Sequence, residues 1–302
     1  MPRRLATDPT ATTSGPRAAS AWRRRLRDEL RVVRELPWRE TRDPWSVLVS
    51  EVMLQQTQVA RVIPAYSAFL ASYPSPASCA VATRASVIRS WEGLGYHRRA
   101  VSLHESAKRI VNDHEGRVPT SLDELLALPG VGPYTARAVM AFAFEADVAV
   151  VDTNVARVLA RAVRGEALTA TAAQQVADEM LTAGRAWTHN QAMIDLGAIW
   201  CRTTPECPGC PLRSSCRWAR SGFKAPDPAR SSAGTARAQP SFTGSNREAR
   251  GVMLAAARRG AITPTVLESL ADVLGHDRRD RAIEGLLADG LLRRRGASLV
   301  LA

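Results

Sequence analysis

Lysine is nearly missing from this chain. Of its 41 Lys and Arg residues only Lys108 and Lys224 are lysines, so the formal net charge of +12 rests on guanidinium groups. The sequence pI is about 10.6. Such an excess favours a polyanionic partner, because each neutralised phosphate releases condensed counterions. A high-GC codon bias produces the same excess without any partner, so charge alone leaves the matter open. No apolar run reaches the ~20 residues of a membrane helix. The N-terminal stretch from Met1 to Ser20 is basic but lacks the apolar core of a secretory signal, and reads as a disordered arm. A cytoplasmic protein is expected. β-Branched alternation is scarce, which argues against an extensive sheet, and no internal repeat occurs. Four of the five cysteines fall within sixteen residues, a grouping that suits a metal site better than a disulfide framework. The remaining one, Cys79, reads as packed in a helix interface.

What is present is a helical protein with room for two or three modest domains: 302 residues, 45% of them hydrophobic. Apolar residues at helical spacing predict helices over Trp22–Leu36 (ended by Pro37), Ser46–Tyr66, Ser86–Trp91, Arg98–His114, Leu122–Leu128, Pro133–Ala143, Asn154–Val163, Thr171–Leu181 and Gln191–Cys201. In the second of these Val47, Val49, Val52, Met53 and Val59 would point inward. The fold class is all-α. After Cys216 the composition turns to Ala, Arg, Pro, Ser and Gly, a linker. From Gly244 three further helices, Arg247–Arg258, Pro264–Leu274 and Asp280–Asp289, precede two short strands around Gly296. The expected organisation is a disordered basic arm at 1–21, a two-lobed core at 22–218, a linker at 219–243 and a small winged-helix-like module at 244–302.

Two motifs about twenty residues apart carry the chemistry. Leu128-Pro-Gly-Val-Gly-Pro-Tyr-Thr135 reads as a tight glycine hairpin running into a helix. Its backbone N–H groups and the positive helix end together make a phosphate site. Val151-Asp-Thr-Asn-Val155 puts a carboxylate, Asp152, at the start of the next helix. A second carboxylate, Glu51, sits in Ser50-Glu-Val-Met-Leu-Gln-Gln-Thr-Gln58, at the polar edge of an otherwise apolar helix, with Gln55 one turn later on the same face. Alone, Glu51 would pass for an ordinary solvated side chain. Beside Asp152 and the hairpin it makes the pair of carboxylates that N-glycosidic cleavage requires: one protonates the leaving base, the other stabilises an oxocarbenium-like sugar. The amides of Gln55 and Gln56 suit base edges or the hole left by an extruded base. Trp91-Glu-Gly-Leu-Gly-Tyr-His-Arg-Arg99 could wedge Tyr96 into a base stack while Arg98 or Arg99 holds phosphate. Tyr134 stands where a lysine would attack C1′ and cut the strand, so base removal alone is expected. Cys201, Cys207, Cys210 and Cys216 are spaced C-x5-C-x2-C-x5-C, which fits a [4Fe–4S] cluster or one zinc ion; spacing does not choose between them.

Taken together, Pro37-Trp-Arg39, Ser50–Thr57, Gly93-Leu-Gly-Tyr96, the hairpin, Val151–Asn154, Asn190-Gln-Ala-Met193 with Asp195-Leu-Gly197, and the four cysteines resemble the adenine DNA glycosylase (MutY) branch of the helix-hairpin-helix glycosylases. The match spans roughly Trp22 to Cys216. The resemblance implies two helical lobes around a flipped base, a [4Fe–4S] cluster of mainly structural and DNA-positioning role, and a monofunctional enzyme of base excision repair. Its substrate would be double-stranded DNA with adenine opposite 8-oxoguanine or guanine. It implies that Glu51 protonates adenine N7 and later handles water, that Asp152 stabilises the sugar cation or its covalent adduct, and that Tyr134 and Asn154 support it with Arg39 nearby. Gln55, Gln56 and Tyr96 would surround the opposing 8-oxoguanine. Leu128, Gly130, Val131 and Gly132 would form the phosphate-holding hairpin, with Arg98 on the backbone. A monomer acting at the nucleoid, with no membrane contact, is expected.

Two features depart from the family pattern. About sixty residues follow Gly244, too few for the Nudix-like domain common in the family. The Cys201–Cys207 gap is one residue shorter than usual, which would shift a DNA contact through Arg202. Other readings remain: a glycosylase for thymine or uracil opposite guanine, whose bases offer no N7 for Glu51 to protonate, or a non-catalytic iron–sulfur DNA-binding protein.

Overall fold

Segments with apolar residues at helical spacing fold as helices through most of the chain. The computed structural model describes residues 33–232 and 241–302. The basic arm, most of the helix expected at Trp22–Leu36, and residues 233–240 of the linker lie outside the described residues. The described chain divides into two compact units, one of residues 33–34 and 145–232, the other of 35–144 and 241–302.

In the larger unit a short 3-10 turn, Pro37–Arg39, leads into α1 (Pro44–Leu54). Asp43 caps α1 by accepting the Ser46 N–H at 2.8 Å, and Pro44 starts it without losing a needed donor. The helix is then buried nearly all round: Trp45, Val47, Leu48, Val49, Ser50, Glu51, Val52 and Met53 are all inside. Glu51 is therefore not at a polar edge, as the sequence suggested; it is 4% exposed. The helix expected from Ser46 to Tyr66 breaks after Leu54 and resumes as α2 (Val59–Ser72). The four-residue interruption contains Gln56 at φ 56°, a left-handed conformation uncommon for a residue with a side chain.

The unit continues with α3 (Pro76–Ala80), α4 (Arg84–Arg89), α5 (Arg98–Asp113), α6 (Leu122–Ala127) and α7 (Pro133–Ala143). Cys79, on α3, is fully buried, and burial pushes its thiol up to about 12: an inert core residue. Its core is built from Trp45, Met53, Phe69, Trp91, Leu103, Ile110 and Leu125. Phe69 meets the Trp91 ring edge-on at 5.9 Å.

The other unit holds α8 (Thr153–Val158), α9 (Ala170–Met180), α10 (Ala186–Ile199) and α11 (Arg217–Arg220). α8 runs on into a wider π-helical turn, Leu159–Arg164, which stops at Gly165. α10 starts five residues before the sequence suggested. Its close approach to α8 requires Gly197: a Cβ there would come within 2.5 Å of the Asn154 carbonyl oxygen. The early part of the expected linker is fastened to this unit, since Ser232 Oγ accepts the Leu168 N–H at 3.0 Å and Asp227 pairs with buried Arg161.

Residues 241–302 form α12 (Asn246–Arg259), α13 (Pro264–Leu274), α14 (His276–Ala288) and the antiparallel hairpin of β1 (Leu292–Arg295) and β2 (Ser298–Leu301). Ile262 adds a bridge to Leu299. Met253, Leu254, Leu286, Leu292, Leu299 and Leu301 share one buried cluster with Ile88 of α4, so this module packs into the larger unit. Polar contacts strengthen the seam. Arg258 bonds the His97 ring and approaches Glu92 at 3.4 Å, and Arg98 lies 3.7 Å from Asp289.

Burial first, then Arg258, Arg99 and Arg250, push His97 down from 6.5 to about 4. A folded value below the unfolded one means that His97 contributes stability above pH 6.5 and loses it as pH falls towards 4. Thermal unfolding between those limits should therefore show a falling Tm that His97→Gln flattens; parallel profiles would refute the assignment.

Candidate active site

Residues singled out by sequence fall in both units. The larger unit contains Arg39, Glu51, Gln55, Gln56, Tyr96, Arg98, the 128–132 hairpin and Tyr134; the other contains Asp152, Asn154 and the four cysteines.

In the larger unit the hairpin joins α6 to α7. Leu128 and Val131 are buried, so their side chains anchor the turn, and only its backbone can face a ligand. Gly130 supplies φ 78°, and a Cβ there would collide with Ser102. Ser106 Oγ donates to the Pro129 carbonyl at 2.8 Å, and Arg109 donates to the Ala127 carbonyl at 2.8 Å. Gln55 closes the other side, its amide donating to Thr135 Oγ1 at 3.2 Å and to the Gly130 carbonyl at 3.4 Å. Gly132 caps α7 without any side chain over the helix end. A rigid turn with an uncovered helix N-terminus is suited to an anion. Tyr134 lies half-buried on the first turn of α7, and Arg39 is buried at the end of the 3-10 turn before α1.

Arg99 decides the shape of the two neighbouring turns. Its guanidinium donates to the carbonyls of Val52 (2.8 Å), Met53 (2.8 Å) and Gln55 (2.6 Å), to Thr57 Oγ1 (2.8 Å), and to the carbonyls of Leu94 and Gly95 (both 3.1 Å). This one side chain thus satisfies the frayed end of α1 and ties it to the loop before α5. Each turn carries a left-handed residue, Gln56 at φ 56° and Tyr96 at φ 44°, with Gln56 exposed and Tyr96 40% exposed. Arg99 is accordingly a structural fastener and not a free phosphate ligand. Burial pulls it down to about 10, which leaves it charged at neutral pH. Arg98 is 76% exposed and open to a ligand.

In the other unit Asp152 is the N-cap of α8. One carboxylate oxygen accepts the Val155 N–H at 2.7 Å, the other the Asn154 side-chain amide at 2.7 Å. Burial pushes Asp152 upward, while Val155, Asn154 and the charge of Arg157 pull it back. Arg157 extends the contact: it donates to Asn154 Oδ1 at 2.6 Å, to the Gly197 carbonyl at 3.1 Å and to the Cys201 carbonyl at 2.8 Å. An unbroken run of hydrogen bonds therefore links Asp152 to the first residue of the cysteine loop. Asn190 holds the segment ahead of Asp152, accepting from the Val150 N–H and donating to the Val148 carbonyl, both at 2.9 Å. Fully buried Asp195 receives the Val33 and Arg34 N–H groups.

The cysteine loop is organised by Arg161, which the sequence reading missed. Only 2% of its side chain is exposed; it pairs bidentately with Asp227 (2.8 and 2.7 Å) and donates to the carbonyls of Arg202 (2.6 Å) and Thr203 (3.1 Å). The Trp218 ring lies 5.4 Å away as a cation–π partner. The four thiols carry no disulfide and line a common pocket with Arg161, Trp200, Leu212 and Trp218. Burial pushes Cys210 up to about 11 and raises Cys201 and Cys216 as well. Among the described residues no three metal-binding side chains gather closely enough to hold a single ion as they stand. Arg202, ion-paired with Glu206, is exposed beside the loop. Among the described residues no helix is long and apolar enough to cross a membrane.

The helical fold is matched by known proteins. Residues 49–181 fit the model of the HhH-GPD superfamily base excision DNA repair protein. A thermostable thymine-DNA glycosylase superposes with a TM-score of 0.61 at 28% identity, covering 68% of this chain and 98% of that one. A trapped endonuclease III–DNA covalent intermediate gives 0.58 at 24% identity, covering 69% and 96%. The fold is thus the mostly helical one of the HhH-GPD base-excision proteins. Adenine DNA glycosylase of Mycobacterium tuberculosis is 40% identical over 299 residues, 95% of this chain and 94% of that protein. The chain belongs to the adenine DNA glycosylase (MutY) family of base excision repair enzymes. DNA is its substrate class, and this family typically carries a [4Fe–4S] cluster.

Removing Arg99 leaves several main-chain carbonyls without donors. Arg99→Ala should cost about 2–4 kcal/mol in urea unfolding. Arg99→Lys should recover little of it, since an ammonium cannot span both turns. A loss within experimental error would remove Arg99 from this role.

Proposed function

We propose that this chain is a monofunctional glycosylase that hydrolyses the N-glycosidic bond of adenine mispaired with 8-oxoguanine or guanine in duplex DNA. The observation that carries the reading is a pair of carboxylates, Glu51 buried in α1 and Asp152 hydrogen-bonded at the cap of α8, in a chain of this family. A carboxylate withdrawn from water is costly unless hydrogen bonds or a counter-charge hold it, and such groups are candidates for acid–base work. Glu51 is suited to deliver a proton to adenine N7 and later to handle the attacking water. Asp152 is suited to remain ionised: two short hydrogen bonds, Arg157 and the positive end of α8 oppose the cost of burial, and its charge stabilises the sugar cation or its adduct. Asn154 supports it, and Tyr134 and Arg39 of the larger unit complete the proposed catalytic set.

The 128–132 hairpin grips phosphate through its backbone, with Arg98 on an adjoining phosphate. Gln55, Gln56 and Tyr96 meet the opposing base from the two turns that Arg99 ties together. The cost of base flipping, a few kcal/mol, is offset by these contacts. Strand scission is not expected. No lysine stands at Tyr134, and of the two in the chain, Lys108 pairs with Glu105 at 3.2 Å while Lys224 lies exposed in the 219–232 segment.

Cys201, Cys207, Cys210 and Cys216 would each bind one iron of a [4Fe–4S] cluster. Four free thiols around one cavity suit that better than zinc, which draws all four sulfurs to about 2.3 Å from a single point. When bound, the cluster supplies a structural and DNA-positioning element, and its thiolates form by releasing protons. The domain reading also stands as a proposal: an arm at 1–21, a core at 22–218, a linker at 219–243, and a winged-helix-like module at 244–302. A monomer in the cytoplasm, at the nucleoid, completes it.

Single-turnover reactions on duplexes with A opposite 8-oxoguanine, A opposite G and T opposite G, each split with and without alkali, test this reading. Alkali-dependent product from the adenine duplexes is expected, and Glu51→Gln should abolish it while leaving duplex binding largely intact. Product from T opposite G alone would favour the substrate of the thymine-DNA glycosylase to which the fold is similar; no product would leave a DNA-binding protein. Chemical analysis should find four irons and four inorganic sulfides per chain, and zinc in their place would overturn the cluster.

A further inference from the structure

Residues 241–302 contain ten arginines and seven acids. Several of those acids are already engaged: Glu248 with Arg278 at 3.5 Å, Glu268 and Asp280 with Arg279 at 3.2 and 2.8 Å, and Asp289 with Arg250 and Arg98. The surplus of three equals one consecutive run, Arg293-Arg294-Arg295, on β1. All three are exposed. Among the described residues no hydrogen bond or ion pair engages their side chains. β1 thus carries the densest run of exposed cationic side chains in the module.

That strand is held in a fixed shape. Leu292 pairs with Leu301 and Arg294 with Leu299, the three leucines being buried in the cluster that includes Ile88. A two-residue turn, Gly296-Ala297, closes the hairpin with Gly296 at φ 60°. Because side chains alternate along a strand, Arg294 shares the face of Leu292, while Arg293 and Arg295 share the other. Arg294 borders a groove that also contains Glu268, Asp280 and Glu284, acids that compete with any anion. Arg293 and Arg295 stand opposite Val300 and Ser298, which bring no charge.

We infer that Arg293 and Arg295 form a second phosphate-binding edge for duplex DNA, separate from the 128–132 hairpin. This rests on the reading of the chain as an enzyme of duplex DNA. Two guanidiniums on one face, held to the larger unit through the common core, extend the footprint of that unit along the backbone without reading sequence.

The test uses the full-length protein and a fluorescent undamaged duplex, with Kd followed against salt concentration. Each phosphate contact contributes about 0.9 to the slope of log Kd on log salt, so Arg293→Ser with Arg295→Ser should lower that slope by about 1.8. Binding at moderate salt should weaken several-fold. Arg293→Lys with Arg295→Lys should keep the slope, and Arg294→Ser should leave it unchanged. Single-turnover excision at saturating enzyme should be the same in all variants. An unchanged slope in the double serine variant, with its Tm intact, overturns the inference; so does an equal effect from Arg294→Ser, which would mean only a general loss of charge. A native protein that binds with the expected slope changes but removes no adenine would sink the glycosylase reading and leave this edge standing.

Discussion

Guanidinium groups bonded to main-chain carbonyls hold together the turns and helix ends that carry the candidate site residues and the cysteine loop. Helix ends and irregular turns leave carbonyl oxygens that must find donors when they are buried. Arg99 supplies them to the broken end of α1 and the loop before α5, Arg157 to the junction of α8 and α10, and Arg161 to the cysteine loop. A planar fork with five donors can serve several acceptors at fixed angles, whereas an ammonium on a flexible stem cannot. The scarcity of lysine then has a structural side at these three positions, independent of any polyanionic partner.

Much of the architecture was legible because it depends on local pattern. The 3.6-residue spacing located most of the helices, and Pro133 marked the first residue of α7. The Gly-rich hairpin and the aspartate at a helix start follow from turn and capping chemistry alone. The break between α1 and α2 was not legible, since apolar residues continue across it and its cause is a side chain more than forty residues later. The early start of α10 was hidden for a similar reason: Thr188, His189 and Asn190 are poor helix formers, yet His189 and Asn190 are buried and Asn190 stitches down the strand-like segment before Asp152. The depth of Glu51 was misread because a helix buried all round has no polar edge to find.

The two candidate carboxylates are set up differently. Glu51 lies within a helix buried nearly all round, among apolar neighbours. Asp152 sits at a helix start, with two short hydrogen bonds and a nearby guanidinium. Sequence spacing identified both residues; the difference between their surroundings comes from packing. The cysteines were equally visible by spacing, but their holders, Arg161 and Asp227, lie 66 residues apart and belong to no motif.

Gly197 shows how far from the reacting atoms such a site can be injured. Its α-carbon touches the Asn154 backbone so closely that even a methyl group has no room. Asn154 in turn holds one oxygen of Asp152 and the end of Arg157. A side chain introduced at Gly197 would therefore push on the anion and on the entry to the cysteine loop at once, while the two helices could still pack a little further apart. In a survey of inherited variants, that glycine would score with the catalytic residues, although it neither ionises nor touches the substrate.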